Sequence, residues 1–191
     1  MIALQRPDFV TIADYLAGEE MSGVKQEYLG GTVHAMAGAT NQHNAIAGNC
    51  FALLHNGLRG KPCQPFNSDT KVRIEVLDHT RFYYPDGMVV CQPNSPSDHF
   101  QDQPVVIVEI LSDSTRRVDL GEKRDAYLTI PSLKVLLFVE SESAAVSVHR
   151  RKSDGGFAIE HHSGLGQVIP LSEIDASMAL ADLYERVKLD A

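Results

Sequence analysis

Apolar residues recur along this chain at two spacings, one of about 3.6 residues and one of 2, and the switches between them divide it into elements. From Asn41 to Leu58 the positions Ile46, Cys50, Leu53, Leu54, Gly57 and Leu58 keep the helical spacing, and Gly60 and Pro62 act as stop signals. Thr11, with Asp14 three residues on and Val10 set to staple against Tyr15, predicts a shorter helix over 10–17. The period of 2 is plainest in 71–76, which places Lys71, Arg73 and Glu75 on one face of a strand. Segments 88–91, 105–111 and 134–140 are apolar almost throughout, as buried strands are. Strands at 145–150 and 157–162 flank a turn at 153–156, and Gly30-Gly31 turns a short strand pair at 27–29 and 32–36. A turn at 78–80, a loop rich in Pro, Ser, Asn and Asp over 92–104, a helix from about 118 to 129 and a last helix near 177–188 complete the reading. Leu180, Leu183, Tyr184 and Val187 mark the face of that last helix.

There is no internal repeat, low-complexity tract or linker in the 191 residues, so the pattern predicts one domain, 1–191, with its core at about 10–185. The predicted class is α/β (α+β), a central mixed sheet flanked by helices with an extra helix and strands ahead of it. A hydrophobic fraction of 43% supports a packed core. No apolar run reaches the roughly 18 residues of a membrane span, and the N-terminal segment has neither a basic start nor an apolar stretch like a secretory signal. Cys50, Cys63 and Cys91 form no CxxC pair, and their odd number argues against a disulfide framework. These features together predict a soluble, cytoplasmic protein.

Charge complicates the picture. Seventeen Lys and Arg against 25 Asp and Glu leave a formal charge of −8. Non-specific nucleic-acid binding draws on phosphate neutralisation by basic side chains, so a general nucleic-acid coat is disfavoured. A small local site remains open, above all one in which a divalent metal supplies the positive charge.

Glu109 carries the first chemical signal, because it stands inside the apolar run from Val105 to Leu111. A buried carboxylate either protonates or needs a cation, and the structural alternative is an ion pair with Arg116 or Arg117. Asp86 follows Pro85 and opens the next apolar strand, although alone it reads first as a Pro-Asp-Gly turn. If the two strands are neighbours, the pair suits a hard cation such as Mg²⁺. Lys123 lies on or beside the helical stripe of Leu120 and Tyr127, either reaching towards the sheet or snorkelling at its edge. The eight histidines show no zinc-ligand spacing, and there is no phosphate-binding glycine loop or nucleophile elbow.

The ordered segments Tyr84-Pro85-Asp86, Val108-Glu109-Ile110-Leu111-Ser112 and Glu122-Lys123-Arg124-Asp125-Ala126-Tyr127 resemble the Uma2 (DUF820) family of the PD-(D/E)XK, or restriction-endonuclease-like, superfamily. Glu27-Tyr28-Leu29-Gly30-Gly31, Met36-Ala37-Gly38-Ala39 and Ser68-Asp69-Thr70-Lys71-Val72-Arg73 resemble its upstream signatures, so the likeness spans about 10–185. The resemblance implies a restriction-endonuclease-like core with Asp86 and Glu109 as metal-binding carboxylates and Glu27 as the acidic residue ahead of that core. In the wider superfamily a lysine stands two residues after the glutamate, where this chain has Leu111; the resemblance implies that Lys123 supplies it from the following helix. Gly30-Gly31 stands for the family's Asp-Gly turn, and Ser112-Asp113-Ser114 for its Ser-Pro-Ser loop.

The implied function is metal-dependent hydrolysis of phosphodiester bonds in nucleic acid, with DNA the first expectation and Mg²⁺ or Mn²⁺ the cofactor. Asp86, Glu109, Lys123 and Glu27 are the expected catalytic set, Lys71 and His43 the expected substrate contacts, with Asp69 a further rim position, and a homodimer the expected assembly. Two rivals stay open: a non-catalytic interaction module on a nuclease fold, and a metal-dependent hydrolase of a small phosphate ester, which the acidic surface suits.

Overall fold

In a computed structural model, which describes residues 9–36, 38–76 and 79–189, the chain forms three sheets and five α-helices among the described residues. It opens with α1 (Ile12–Met21), the hairpin β1 (Gln26–Leu29) and β2 (Thr32–Ala35), and the long α2 (Asn41–Gly57). Then come β3 (Gln64–Asn67), β4 (Lys71–Val76), β5 (His79–Tyr83), β6 (Gly87–Val90), β7 (Phe100–Gln101) and β8 (Pro104–Leu111). A helical segment follows in three pieces: α3 (Arg116–Val118), a π-helical turn (Asp119–Lys123) and α4 (Arg124–Leu128). The rest is β9 (Val135–Glu140), β10 (Ala145–Arg151), β11 (Phe157–Ser163), β12 (Val168–Leu171), a 3₁₀ turn (Ser172–Ile174), β13 (Ala176–Ala179) and α5 (Leu180–Leu183).

The main sheet has six strands in the order β11-β10-β9-β8-β6-β3, mixed because β8 and β9 run parallel while their neighbours are antiparallel. The parallel pair requires a crossover, which α3, the π turn and α4 provide. Alternation on the two central strands then builds two cores. Val106, Val108 and Ile110 of β8, with Val135, Leu137 and Val139 of β9, pack on one face against Ile46, Cys50 and Leu54 of α2 and Leu180 and Leu183 of α5. Ile107, Leu111, Leu136 and Phe138 face the other way, towards Tyr127 of α4 and Val72 and Ile74 of β4. The second sheet, β2-β1-β5-β4-β7, carries α1 through a cluster of Tyr15, Tyr28 and Phe82.

Most predicted elements are present. Thr11 caps α1 by accepting from Asp14 N at 3.1 Å, and Thr40 caps α2 by accepting from His43 N at 3.2 Å. Gly30 and Gly31 both hold positive φ in the two-residue turn between β1 and β2, the conformation such a hairpin demands. Strands at 71–76, 105–111, 134–140, 145–150 and 157–162 agree to within a residue or so.

Four readings need correction. The helix over 118–129 is not regular but contains the π turn. The helix near 177–188 is shortened because Ala176–Ala179 pairs with β12 as a strand, although Leu180, Leu183 and Tyr184 still enter the core. Residues 64–67 form β3, an unpredicted strand whose edge position tolerates Pro65. Cys63 and Cys91 form a disulfide, because β3 and β6 pair with Gln64 opposite Val90 and bring the flanking cysteines together. Cys50 alone stays free and buried. A disulfide is the bond of oxidising compartments, so cysteine arithmetic does not support the intracellular reading. Among the described residues no helix is long and apolar enough to cross a membrane. The N-terminal stretch 1–8, Ala37 of the second motif and residues 77 and 78 at the predicted turn lie outside the described residues.

Candidate active site

Because β6 and β8 are antiparallel neighbours, with Gly87 opposite Val108, Asp86 and Glu109 meet at one end of the main sheet. Asp86 Oδ2 accepts from Ile110 N at 2.7 Å, a bond that ties the residue after Pro85 across to β8. Asp86 N in turn donates to Glu109 Oε2 at 3.4 Å. Glu109 is only 3% exposed, and Tyr127 Oη donates to its Oε1 at 2.6 Å. Arg116 goes to Glu140 instead, so the ion pair that would have made Glu109 merely structural does not form.

Lys123 stands among three carboxylates. Its Nζ lies 2.9 Å from Glu27 Oε1, 3.6 Å from Asp119 Oδ1 and 3.7 Å from Glu109 Oε1. Glu27 reaches it from β1, and its Oε1 also accepts from Tyr84 N at 3.4 Å. His43, in the first turn of α2, places Nε2 3.2 Å from Asp86 Oδ2. These groups lie in and under an open cleft of about 450 Å³ whose rim includes Lys25, Asn44, Ser112 and Ser114.

Electrostatics follow from burial. Loss of water, with Asp86 and Asp119 nearby, pushes the Glu109 carboxyl up to about 8 against the pull of Lys123. Asp119 is raised for the same first reason, burial, despite Lys123 beside it. Burial opposes the charge on Lys123, but Glu109, Glu27 and Asp119 outweigh it and hold the ammonium above its ordinary value. His43 is raised because Asp86 overcomes its burial. Four carboxyl groups therefore share one ammonium and one imidazole.

That imbalance bears on whether a divalent cation fits. Among the described residues no three His, Cys, Asp or Glu side chains are grouped so that they could hold a metal ion. Mg²⁺ does not need three: one or two carboxylates hold it, with water and phosphate completing its shell. Asp86 and Glu109 supply that donor set at the cleft floor, in hard oxygen chemistry, once the raised Glu109 carboxyl gives up its proton.

Of the sequence-predicted residues, the structure brings together Glu27, His43, Asp86, Glu109 and Lys123. It does not bring Lys71, whose buried ammonium pairs with Glu19 Oε2 at 3.5 Å below the Tyr84 ring. Asp69 is likewise engaged at the surface, 2.7 Å from Lys25. Two members escaped sequence reading. Tyr127 had a signal, four residues after Lys123 on the same stripe. Asp119 had one too, because residues four apart share a helix face and it stands four before Lys123 and eight before Tyr127. It turns inward with them and is 3% exposed, while Leu120 is half-buried at the edge of the same core.

A profile of the family described as "Uma2: Putative restriction endonuclease" matches residues 12–181. The chain is 32% identical over 172 residues to "Uncharacterized protein slr1290" of Synechocystis sp., covering 90% of this chain and 89% of that one. It is 29% identical over 157 residues to "Uncharacterized protein sll1609" of the same organism, covering 81% and 88%. Its fold is similar to a crystal structure described as "a putative nuclease belonging to DUF820" from Anabaena variabilis, with a TM-score of 0.70 at 15% identity over 94% of this chain and 99% of the other.

Proposed function

The chain belongs to the Uma2 family, and on that premise we propose that it is a metal-dependent endonuclease that hydrolyses phosphodiester bonds of nucleic acid, DNA in the first instance. One observation carries the reading: Asp86, Glu109 and Lys123, from three separate segments, converge at the floor of one cleft, with Glu27 behind them on the Lys123 ammonium. Asp86 and Glu109 would hold Mg²⁺ or Mn²⁺. Bound there, the ion supplies Lewis-acid polarisation of the phosphate and a more acidic water. Glu109 must first release its proton, which its raised pKa makes a step favoured by alkaline conditions. Lys123, kept protonated by its carboxylates, serves as a fixed positive charge against the developing charge on phosphate and not as a base. Glu27 holds that ammonium in place.

The acidic chain fits this reading if the metal replaces the basic surface a nuclease otherwise needs. Both lysines of the cleft are committed, Lys25 to Asp69 and Lys123 to Glu27. The same observation favours a second reading, hydrolysis of a small phosphodiester. We extend the proposal to a homodimer in which two copies cut two strands.

Supercoiled plasmid and branched DNA incubated with Mg²⁺, Mn²⁺ or EDTA test the proposal, beside D86A, E109A and K123A. Cleavage that requires metal and is lost in each variant is expected. Undiminished cleavage in any variant removes that residue's role, and activity confined to a small chromogenic diester favours the second reading. Sedimentation of the protein under the assay conditions decides the dimer.

A further inference from the structure

We propose that Asp119 is the positioning residue for Lys123. The inference rests on the nuclease reading for its meaning, though not for its test.

A buried carboxylate is costly, and Asp119, four residues before Lys123 on the same helical segment, is only 3% exposed. Thr115, one turn earlier, hydrogen-bonds that carboxylate, and Lys123 Nζ lies 3.6 Å from it. The buried charge therefore has one product, a second oxygen on the ammonium from its own helix.

Lys123 needs such a partner. A lysine stem has four rotatable bonds, and a single ion pair leaves the ammonium free to pivot. Glu27 fixes it from β1, on the side of the second sheet. Glu109 is the weakest of the three contacts at 3.7 Å, and it is also a carboxylate that the metal would claim. Once Glu109 is so engaged, Glu27 and Asp119 are the pair that holds the charge, one from each side. Asp119 acts through Lys123 and need not touch substrate.

The test uses the intact protein labelled with ¹⁵N-lysine, metal-free, with K123M to identify the Lys123 ammonium resonance. A buried ammonium held by carboxylates exchanges slowly with water, so a distinct signal is expected in the wild type. In D119N, an isosteric neutral change, its exchange is expected to quicken by about tenfold or more, the effect of losing one of the carboxylates paired with the ammonium. With plasmid and Mn²⁺, D119N should lower kcat by a similar factor while leaving KM within about twofold, since ground-state binding does not use the residue. T115V, which keeps the charge and removes its hydroxyl support, should move both readouts the same way by less, and it decides the matter if D119N does not fold. The proposal is overturned if Lys123 exchange is unchanged in the folded variant, if the wild type shows no protected Lys123 signal, or if KM rises and kcat stays constant. A wild type that cleaves nothing would defeat the nuclease reading and leave the resonance to decide Asp119 separately.

Discussion

Replacing Glu109 with Gln should stabilise the metal-free protein as pH rises, while removing its capacity for metal. The carboxyl titrates near 8 in the folded chain against 4.5 for an ordinary glutamate, chiefly through burial. A folded pKa above the unfolded one contributes stability that is fully present below about 4.5 and is lost as pH climbs through about 8. The whole shift, 8 less 4.5, corresponds to about 5 kcal/mol at about 1.4 kcal/mol per unit. Site relaxation and water entry reduce this to about 2–4 kcal/mol. Glutamine keeps the shape and has no charge to desolvate, so the variant escapes that loss. Thermal unfolding followed by circular dichroism in EDTA, from pH 5 to pH 9, is the measurement. The melting temperature of E109Q minus that of wild type should widen by roughly 5–12 °C across the range, given about 2–4 °C per kcal/mol for a chain of this size. Mn²⁺ at pH 8 should then raise the wild type and not the variant, since a ligand stabilises only what it binds. A gap that stays constant with pH, or narrows as pH rises, would refute the assignment of a raised pKa to Glu109 and with it the charge argument for a cation.

Tyr127→Phe removes the hydroxyl that donates to Glu109 Oε1 at 2.6 Å, and leaving that buried oxygen short of a donor should cost about 1–3 kcal/mol in denaturant unfolding at pH 8. No loss of stability would show that the bond is not made. The Cys63–Cys91 link closes a loop across 28 residues, so C63S should destabilise the oxidised protein by about 2–4 kcal/mol. Thiol titration checks the same bond directly: Cys50, buried and pushed up to about 12 by that burial, should stay unreactive in the native protein and become the one reactive thiol on denaturation without reductant. Three reactive thiols under those conditions would refute the disulfide.

How much of this was legible in the sequence depends on how local the signal is. Runs such as 105–111 and 134–140 are apolar because both faces are covered, and nothing but a central strand satisfies that pattern at such a length. The helix at 41–57 is set by its cap and by Ile46, Cys50 and Leu54 one turn apart. Pairing is a different matter. The disulfide depends on β3 lying beside β6, and β3 is an edge strand of four residues with a proline in it, too weak to announce itself. Likewise 176–179 has a helical apolar spacing that gives way to β12, a partner visible only in three dimensions.

The site divides along the same line. Glu109 stands out because a carboxylate in an apolar run contradicts its surroundings, and Asp86 gains meaning only from the pairing of its strand with that of Glu109. Lys123 and Tyr127 follow from ordinary helical spacing. Asp119 follows the same spacing, four residues before Lys123, but nothing in the sequence tells that a charged residue at the start of that helix is covered. Lys71 shows the converse: alternation correctly set it on a strand face with Arg73 and Glu75, yet Lys71 itself is buried against α1 and its charge goes to Glu19. Charge position along a strand is thus readable, whereas charge partnership is not. The partnership of Lys123 with three carboxylates is what gives a chain with a net charge of −8 a protonated group at the floor of its cleft. It also limits that group. An ammonium so tightly held cannot leave to follow a phosphate, so it favours a substrate that comes to the cleft floor, and the acidic surroundings leave that approach to be screened by the metal and by salt. Cleavage by this protein should accordingly depend more steeply on the concentration of divalent ion than on that of monovalent salt, the reverse of a nuclease that binds through a basic surface.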